Sequence, residues 1–257
     1  MKKVFLFIII SMFSLKSISQ NSMIIYYSIS INEMERVGIL YAPIKDNSYY
    51  VEKFKKNKEA DKINAQEYNS TNIKSYSNID VNKEYIQVYK KNNIINNYDF
   101  IGNKRVQYLD TTNSIKWEIK NETKIINKYK CTKAVCSFRG RNYIAWFSTE
   151  FPIVNGPWKF HGLPGLIFQI SDETGAYDWV VDKIKFVSSI STLQFDPKIE
   201  KLRFKDYVNQ TEENYQKESQ EKLDILFSKL SLKNANVKTK KSVFQRGREL
   251  VYDWEKK

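Results

Sequence analysis

Histidine is almost missing from this 257-residue chain, since His161 stands alone. A Ser–His–acid or Cys–His catalytic set would have to pass through that one side chain, and no nucleophile-elbow sequence accompanies it. Cysteine is nearly as scarce. With two cysteines and one histidine there is no HExxH helix and no paired CxxC, so zinc sites of the common kinds are excluded. Glycine and proline number eight and five. They form no phosphate-binding loop and no Gly/Pro/Ser-rich linker, and no internal repeat is visible. One domain over residues 20–257 is therefore expected, large enough to bury a core. After the first 15 residues no apolar run is long enough to span a bilayer, so no transmembrane segment is expected in the mature chain.

What is present begins at the N-terminus. Lys2 and Lys3 precede an uncharged apolar run from Val4, and Ser17-Ile18-Ser19 follows with small residues at alternate positions. A basic start, an apolar core of this length and a small-x-small site make a secretory signal peptide over residues 1–19, with Gln20 as the first mature residue. The expected location is the periplasm or outer membrane, or outside the cell. Removing Lys2, Lys3 and Lys16 from the 42 basic residues leaves 39 against 29 acidic, a net +10. The lysines are spread thinly among Asn, Ile and Tyr, which describes a hydrated surface, and with export it argues against nucleic acid.

Strand patterns dominate the first two thirds. Met23, Ile25, Tyr27, Ile29 and Ile31 alternate with polar residues, and Tyr49–Val51 begins a second strand. Lys53–Thr71 is polar throughout, as a loop or solvated helix is. Tyr85–Tyr89 is a short strand, and Tyr98–Leu109 a hairpin turning at Gly102-Asn103. Ile115, Trp117 and Ile119 are expected on one buried face. Ala134, Cys136 and Phe138 lead into the turn Arg139–Asn142 and a return strand Tyr143–Phe147. Leu166–Ile170 pairs with Tyr177–Phe186 across Asp172–Gly175. Val208, Tyr215, Leu223, Leu226 and Leu230 then fall at helical spacing, giving one or two amphipathic helices over 204–232. The tail from Leu250 is expected to dock as a strand or helical turn. The fold class is α+β: a mostly antiparallel, curved sheet, half-barrel in form, with C-terminal amphipathic helices. Cys131 and Cys136 lie five apart in a strand, on opposite faces, so two buried small hydrophobes fit better than a disulfide.

Residues 150–170 stand out. In Leu163-Pro164-Gly165-Leu166 the proline presets φ, and Gly165 is expected to take the positive φ of a type II turn. Gly162 is expected to allow close backbone approach. The hexapeptide Gly162-Leu163-Pro164-Gly165-Leu166-Ile167 resembles the one that names the GLPGLI family of exported Bacteroidetes proteins. Tyr129-Lys130-Cys131, Phe138-Arg139-Gly140-Arg141, Ala145-Trp146-Phe147 and Gly156-Pro157 extend the resemblance over residues 129–186. It implies an envelope or secreted location but no activity, substrate or catalytic residue.

Candidate binding residues cluster around that segment. Arg139 and Arg141 either clamp a carboxylate or phosphate, or belong to a solvated or internally paired turn. Trp146, Trp158 and Phe160 either line a groove or pack the core. His161 either acts in a site or holds the turn structurally. Asp172, Glu173 and Asp178 bracket a hairpin turn, where acids are common without calcium, and no metal or cofactor is expected. The leading functional reading is an exported, non-catalytic protein binding an envelope or outer-membrane partner, or an apolar, lipid-like ligand. The alternatives are an envelope glycan or peptide hydrolase, and an assembly factor docked on an outer-membrane machine. An apolar cavity would favour the first, convergent acids in a cleft the second, and a filled core the third.

Overall fold

The computed structural model describes residues 22–43, 47–54, 85–89, 94–111, 115–190, 199–229 and 247–255. Six strands follow in the first half: β1 (Ser22–Ile31), β2 (Met34–Ala42), β3 (Tyr49–Phe54), β4 (Tyr85–Tyr89), β5 (Ile94–Ile101) and β6 (Lys104–Thr111). Then come β7 (Glu118–Ile126), β8 (Tyr129–Phe138), β9 (Arg141–Ser148), β10 (Leu166–Asp172), β11 (Tyr177–Val187) and β12 (Glu200–Arg203). Helix α1 (Phe204–Lys229) follows, and the tail closes on a 3-10 turn at Asp253–Glu255.

Among the described residues twelve strands form one open, curled sheet in the order β12-β6-β5-β4-β3-β2-β1-β11-β10-β9-β8-β7. It is two antiparallel meanders joined where β1 pairs with β11, and β12 adds in parallel to β6. Three hairpins turn tightly through residue pairs with positive φ at both positions: Asn32-Glu33, Asn127-Lys128 and Arg139-Gly140. Two such residues match the right-handed twist of the flanking strands, and asparagine leads two of the pairs because it tolerates the left-handed region. The turn at Gly102-Asn103 falls where the sequence places it, with Ile101 opposite Lys104.

The core lies on the inner face of β1 and β7–β11. Ile25, Tyr27, Ile29 and Ile31 on β1 point into it, and the residues between β9 and β10 fold over it with Phe151, Trp158, Phe160 and Leu163 buried. Cys131 and Cys136 are both buried in this core and unbridged. Burial pushes their thiols up, to about 11 and about 12. On β3–β5 the outer face is covered as well: Tyr49, Val51, Ile86 and Tyr98 cluster there with Ile190 and Ile199.

Several expectations are corrected. A single continuous helix is seen from Phe204 to Lys229, with Phe204 and Val208 buried in its first turns. Residues 230–232 of the expected helix, and most of the polar stretch read at 53–71, lie outside the described residues. Strand β7 begins only at Glu118, and Ile119 is exposed on this edge strand rather than buried beside Ile115.

The two motif glycines exchange roles. Gly162 has φ +91°, while Gly165 does not adopt positive φ, so the turn at Leu163–Leu166 is not type II. Gly165 is needed for space, because a Cβ there would stand 2.2 Å from the Ser148 carbonyl oxygen. Gly162 has room, the nearest atoms being those of Trp117 at 4.0 Å. Gly165→Ala should therefore force backbone apart and destabilise by about 1–3 kcal/mol, whereas Gly162→Ala should cost about 1 kcal/mol through backbone strain. Urea unfolding of both variants checks this. A neutral Gly165→Ala would show that the Ser148 contact does not exist.

Candidate functional site

Between the inner face of β2–β6, the start of α1, the β9–β10 loop and the C-terminal tail lies a cleft of about 330 Å³. It forms where the inner face of β3–β6 is mostly polar, while that of the other half-sheet is apolar. Tyr50, Gln87, Asn97 and Tyr108 face one another strand by strand, making one lateral row across β3, β4, β5 and β6. Gln87 Nε2 donates to Asn97 Oδ1 at 2.9 Å, and Tyr85 Oη donates to the same oxygen at 2.8 Å. Gly38 makes room for this row, since a Cβ there would sit 2.3 Å from the Tyr50 hydroxyl. Two residues along each strand, on the same face, stand Glu52, Asp99 and Asp110.

One wall of the cleft is ionic. Glu52 Oε1 accepts from Arg36 at 3.0 Å and from Arg248 of the tail. Burial alone would raise the Glu52 carboxyl, but the two guanidiniums outweigh it and hold it below its ordinary value. Arg248 also sits 5.1 Å from the Trp179 ring centre. Beside it, Lys159 Nζ lies 2.8 Å from Glu249 and 2.6 Å from Asp110. Arg139 grips the same Asp110 with two nitrogens, at 2.9 and 2.6 Å, and also pairs with Glu249 and with Asp253 at 3.2 Å. The Asp110, Lys159 and Arg139 side chains are about 1% exposed. Burial raises the Asp110 carboxyl, and Lys159 with Arg139 more than offsets this, leaving it below its ordinary value.

Beside these ions the cleft carries neutral hydroxyls. Tyr207 Oη donates to Asp99 Oδ2 at 2.6 Å, and the Phe100 N–H donates to Oδ1 at 2.8 Å. Tyr85, Tyr108 and Thr211 complete the set. Desolvation holds the phenols of Tyr85, Tyr108 and Tyr207 well above their ordinary range, so they remain O–H groups. Desolvation also raises the Asp99 carboxyl, more than its two hydrogen bonds lower it, and the Glu52 charge adds to the rise.

The sequence-predicted candidates divide across this geometry. Trp158 lines the cleft, and its neighbour Lys159 does too. Trp158 adopts φ +50°, unusual for a bulky residue, and stacks at 6.1 Å on Trp179. Arg139 is engaged in the ion cluster through both terminal nitrogens. Arg141 pairs with Asp172 at 3.0 Å and donates to the Gly247 carbonyl at 2.9 Å. Trp146 stands on the outer face, under Lys124 at 4.3 Å from its ring centre. Phe160 is core, in edge contact with Tyr143 and Trp179. His161 is buried, with Nδ1 2.9 Å from the Lys159 carbonyl oxygen, and burial lowers its pKa. In the hexapeptide 162–167, Leu163, Leu166 and Ile167 are core residues and Pro164 is exposed. Asp172 and Asp178 face opposite sides of the sheet: Asp172 receives the Tyr177 N–H at 2.9 Å, and Asp178 receives Gln169 at 3.2 Å. Among the described residues no cluster of three or more potential metal ligands occurs, and no helix is long and apolar enough to cross a membrane.

Sequence reasoning missed Arg36, Glu52, Asp99, Asp110, Lys159, Arg248 and Glu249. A signal for the acids was present. Glu52 follows Tyr50, Asp99 follows Asn97 and Asp110 follows Tyr108 at the two-residue strand period, so each shares the inward phase.

Known proteins add a fold and a segment. The model of a family described as a protein of unknown function, Porph_ging, matches residues 138–169, which include Arg139, Lys159 and the hexapeptide. No curated protein matches. PNGF-II has a similar fold in two crystal forms, C2 and P21, with TM-scores of 0.52 and identities of 18% and 16%. The match covers 76% of this chain and 33% or 34% of PNGF-II, so this chain spans about a third of that protein's length. At that identity the likeness is one of fold.

Two consequences are measurable. Lys159→Met should destabilise by about 3 kcal/mol, because it strands buried carboxylate charge, and adding Glu249→Leu should restore part of the loss. Urea unfolding of the single and double variants tests this, and a single variant as stable as wild type would refute it. The second consequence concerns Asp99, which faces Tyr207, Tyr85, Tyr108, Glu52 and Arg248. Its folded pKa lies above its unfolded value, so its contribution to stability is lost as pH rises through the folded pKa. Asp99→Asn should thus gain stability over wild type as pH climbs above 3.8, levelling off above the folded pKa. A constant difference across that pH range would contradict the shift.

Proposed function

We propose that this chain is an exported cell-envelope protein of the GLPGLI type, and that it binds a ligand or partner in the inner-face cleft without transforming it. The observation that carries this reading is the state of the cleft's charged groups. Arg36, Lys159, Arg248, Glu52 and Glu249 each hold an internal partner, so they shape a surface and do not stand poised for proton transfer. His161 lies outside the cleft lining, with one ring nitrogen bound to backbone. Export is supported by the basic, apolar and small-residue order of residues 1–19. Family type is supported by the hexapeptide at 162–167 and its upstream context. The polar lining narrows the ligand, because an acyl chain would leave the tyrosine hydroxyls and carboxylates desolvated without partners.

A hydrolytic reading draws on one observation, that Glu52 and Asp99 shift in opposite directions, as an acid and base pair does. Against it, Glu52 Oε1 is taken by two guanidiniums and Oε2 lies 3.4 Å from the Tyr50 hydroxyl, leaving little of the carboxylate to attack or accept.

The test uses Thr211→Trp, which fills the cleft from α1 without removing an ion pair. Wild type and variant are purified from the native envelope, and the molecules retained are compared by mass spectrometry. Wild type should retain a species that the equally stable variant loses. Identical retention, or hydrolysis of an envelope glycan or peptide that Asp99→Asn abolishes, would overturn the binding reading.

A further inference from the structure

We infer that the cleft takes a neutral saccharide, one or two sugar rings in size, held by the hydroxyl wall of Tyr85, Tyr108, Tyr207 and Thr211 and by Asp99. This rests on the binding reading above and names the ligand of the same site.

Charge comes first. Three cations line the cleft, Arg36, Lys159 and Arg248, and three acids, Glu52, Asp99 and Glu249. Every one of those cations is already paired with a carboxylate. A phosphate or carboxylate ligand would have to break a partly buried ion pair to be held, and would leave an acid behind it. A cationic ligand faces the same balance, with Arg36, Lys159 and Arg248 beside it. A neutral ligand disturbs none of these pairs.

Hydrogen-bonding capacity comes second. A phenol offers one donor and accepts as well, and a carboxylate has room for about four donors. Asp99 receives two within the protein, from Tyr207 and Phe100. Tyr85, Tyr207 and Thr211 already donate, to Asn97, Asp99 and the Tyr207 carbonyl, so the wall presents hydroxyl oxygens that accept beside a carboxylate with capacity left, which suits a ligand whose many hydroxyls donate. Its floor is apolar and aromatic, formed by Trp158, Phe204 and Val208. Sugar rings have this same pairing of hydroxyl edges and C–H faces.

A peptide fits less well. Extended peptides are held chiefly by backbone pairing at a free strand edge. Strands β3 to β6, which supply the cleft, are all internal to the sheet, because β12 pairs with β6 and β2 with β3. Their main-chain groups are spent on one another. Size agrees too, since about 330 Å³ falls at the small end of the usual ligand-pocket range of roughly 300–1,000 Å³.

The experiment is ligand-observed NMR and calorimetry on the mature chain. The probes are neutral mono-, di- and trisaccharides of the glucose, mannose, galactose and N-acetylglucosamine series, with uronate and sulfated counterparts. Neutral sugars should bind at millimolar concentration or better. Asp99→Asn and Tyr207→Phe should each weaken binding about tenfold, Thr211→Trp should abolish it, and the anionic counterparts should bind more weakly. The melting temperature of Asp99→Asn should not fall, which separates a lost contact from a lost fold. Tighter binding of the anionic sugars, affinity unchanged in all three variants, or no binding of any neutral sugar would each overturn the inference. If the sugars fail while wild type still retains an envelope species that Thr211→Trp loses, only the saccharide assignment falls. If that difference fails as well, the binding reading falls with it.

Discussion

The contact between Asp110 and Arg139 is the constraint around which this structure is organised. Asp110 lies on β6 and Arg139 in the β8–β9 turn, and eight strand-to-strand steps separate β6 from β9 in the sheet order. A flat sheet would hold them roughly 40 Å apart, at about 4.8 Å per step. They meet at 2.6 Å. The sheet must therefore curl until its two wings face each other, and the ion pair bridges them. Lys159 enters from the β9–β10 loop, and Glu249 and Asp253 from the tail, so two further pieces of chain converge on the same bridge. Charges buried this deeply are costly unless paired and hydrogen-bonded, and here each carries several short contacts. The pairing also coincides with local strain. Arg139 and Trp158 both hold positive φ, at +46° and +50°, conformations that cost of order 1–3 kcal/mol each. The Arg139 angle belongs to its tight hairpin turn, and Trp158 directly precedes Lys159, so the charge-assisted bonds of the cluster lie where this strain is held.

Once the wings are held together, the two halves of the inner face behave differently because their side chains differ. Around β1 and β7–β11 the inward residues are large and apolar, and the β9–β10 loop fills the space with Phe151, Trp158, Phe160 and Leu163. Around β3–β6 the inward residues are mostly tyrosine, amide and acid, with Ile95 and Val106 as apolar exceptions. Several of the polar ones hydrogen-bond one another across the strands, as Gln87 and Tyr85 do to Asn97. The cleft lies at the seam, where aromatic filling ends and hydrogen-bonded rows begin. Helix α1 seals one side through Phe204, whose ring stacks on Tyr108 at 5.2 Å and lies 4.5 Å from Lys159 Nζ.

Much of the sheet was legible because its strands alternate. Strand β1, the short β4, the hairpin at Gly102 and the β10–β11 pair all follow from the two-residue period and from turn chemistry. Strand β2 was missed because its inward row is Arg36, Gly38, Leu40 and Ala42, which opens on a charge and a glycine and so carries no apolar period at its start. Exposed Ile119 misled for the opposite reason, since apolar alternation on an edge strand does not prove burial. The site was hidden by its chemistry. Motif searching looks for histidines, thiols and glycine loops, whereas this cleft is built from tyrosines and acids spaced as ordinary strand residues. The cluster makes Arg248 and Glu249 of the tail structural partners of β3 and of the β9–β10 loop, pairs that no local sequence pattern announces.

The hexapeptide at 162–167 takes on a different meaning in this frame. It is the most recognisable stretch of the chain, yet Leu163, Leu166 and Ile167 are core residues, and the Tyr27 hydroxyl donates to the Ile167 carbonyl at 2.9 Å. Gly165 is fixed by contact with Ser148, Gly162 by its positive φ, and the Gly162 N–H closes on the Val154 carbonyl at 2.8 Å. These features lock the return of the loop after Trp158 and Lys159 have been presented. A locked return is what allows a lysine to be held about 1% exposed between Asp110 and Glu249, and a tryptophan to be held at a strained backbone angle beside the cleft. Sequence distinctiveness and chemical activity thus separate along this loop. The distinctive residues set the backbone, and the two residues upstream of His161 that face the cleft and the ion cluster are positioned by it.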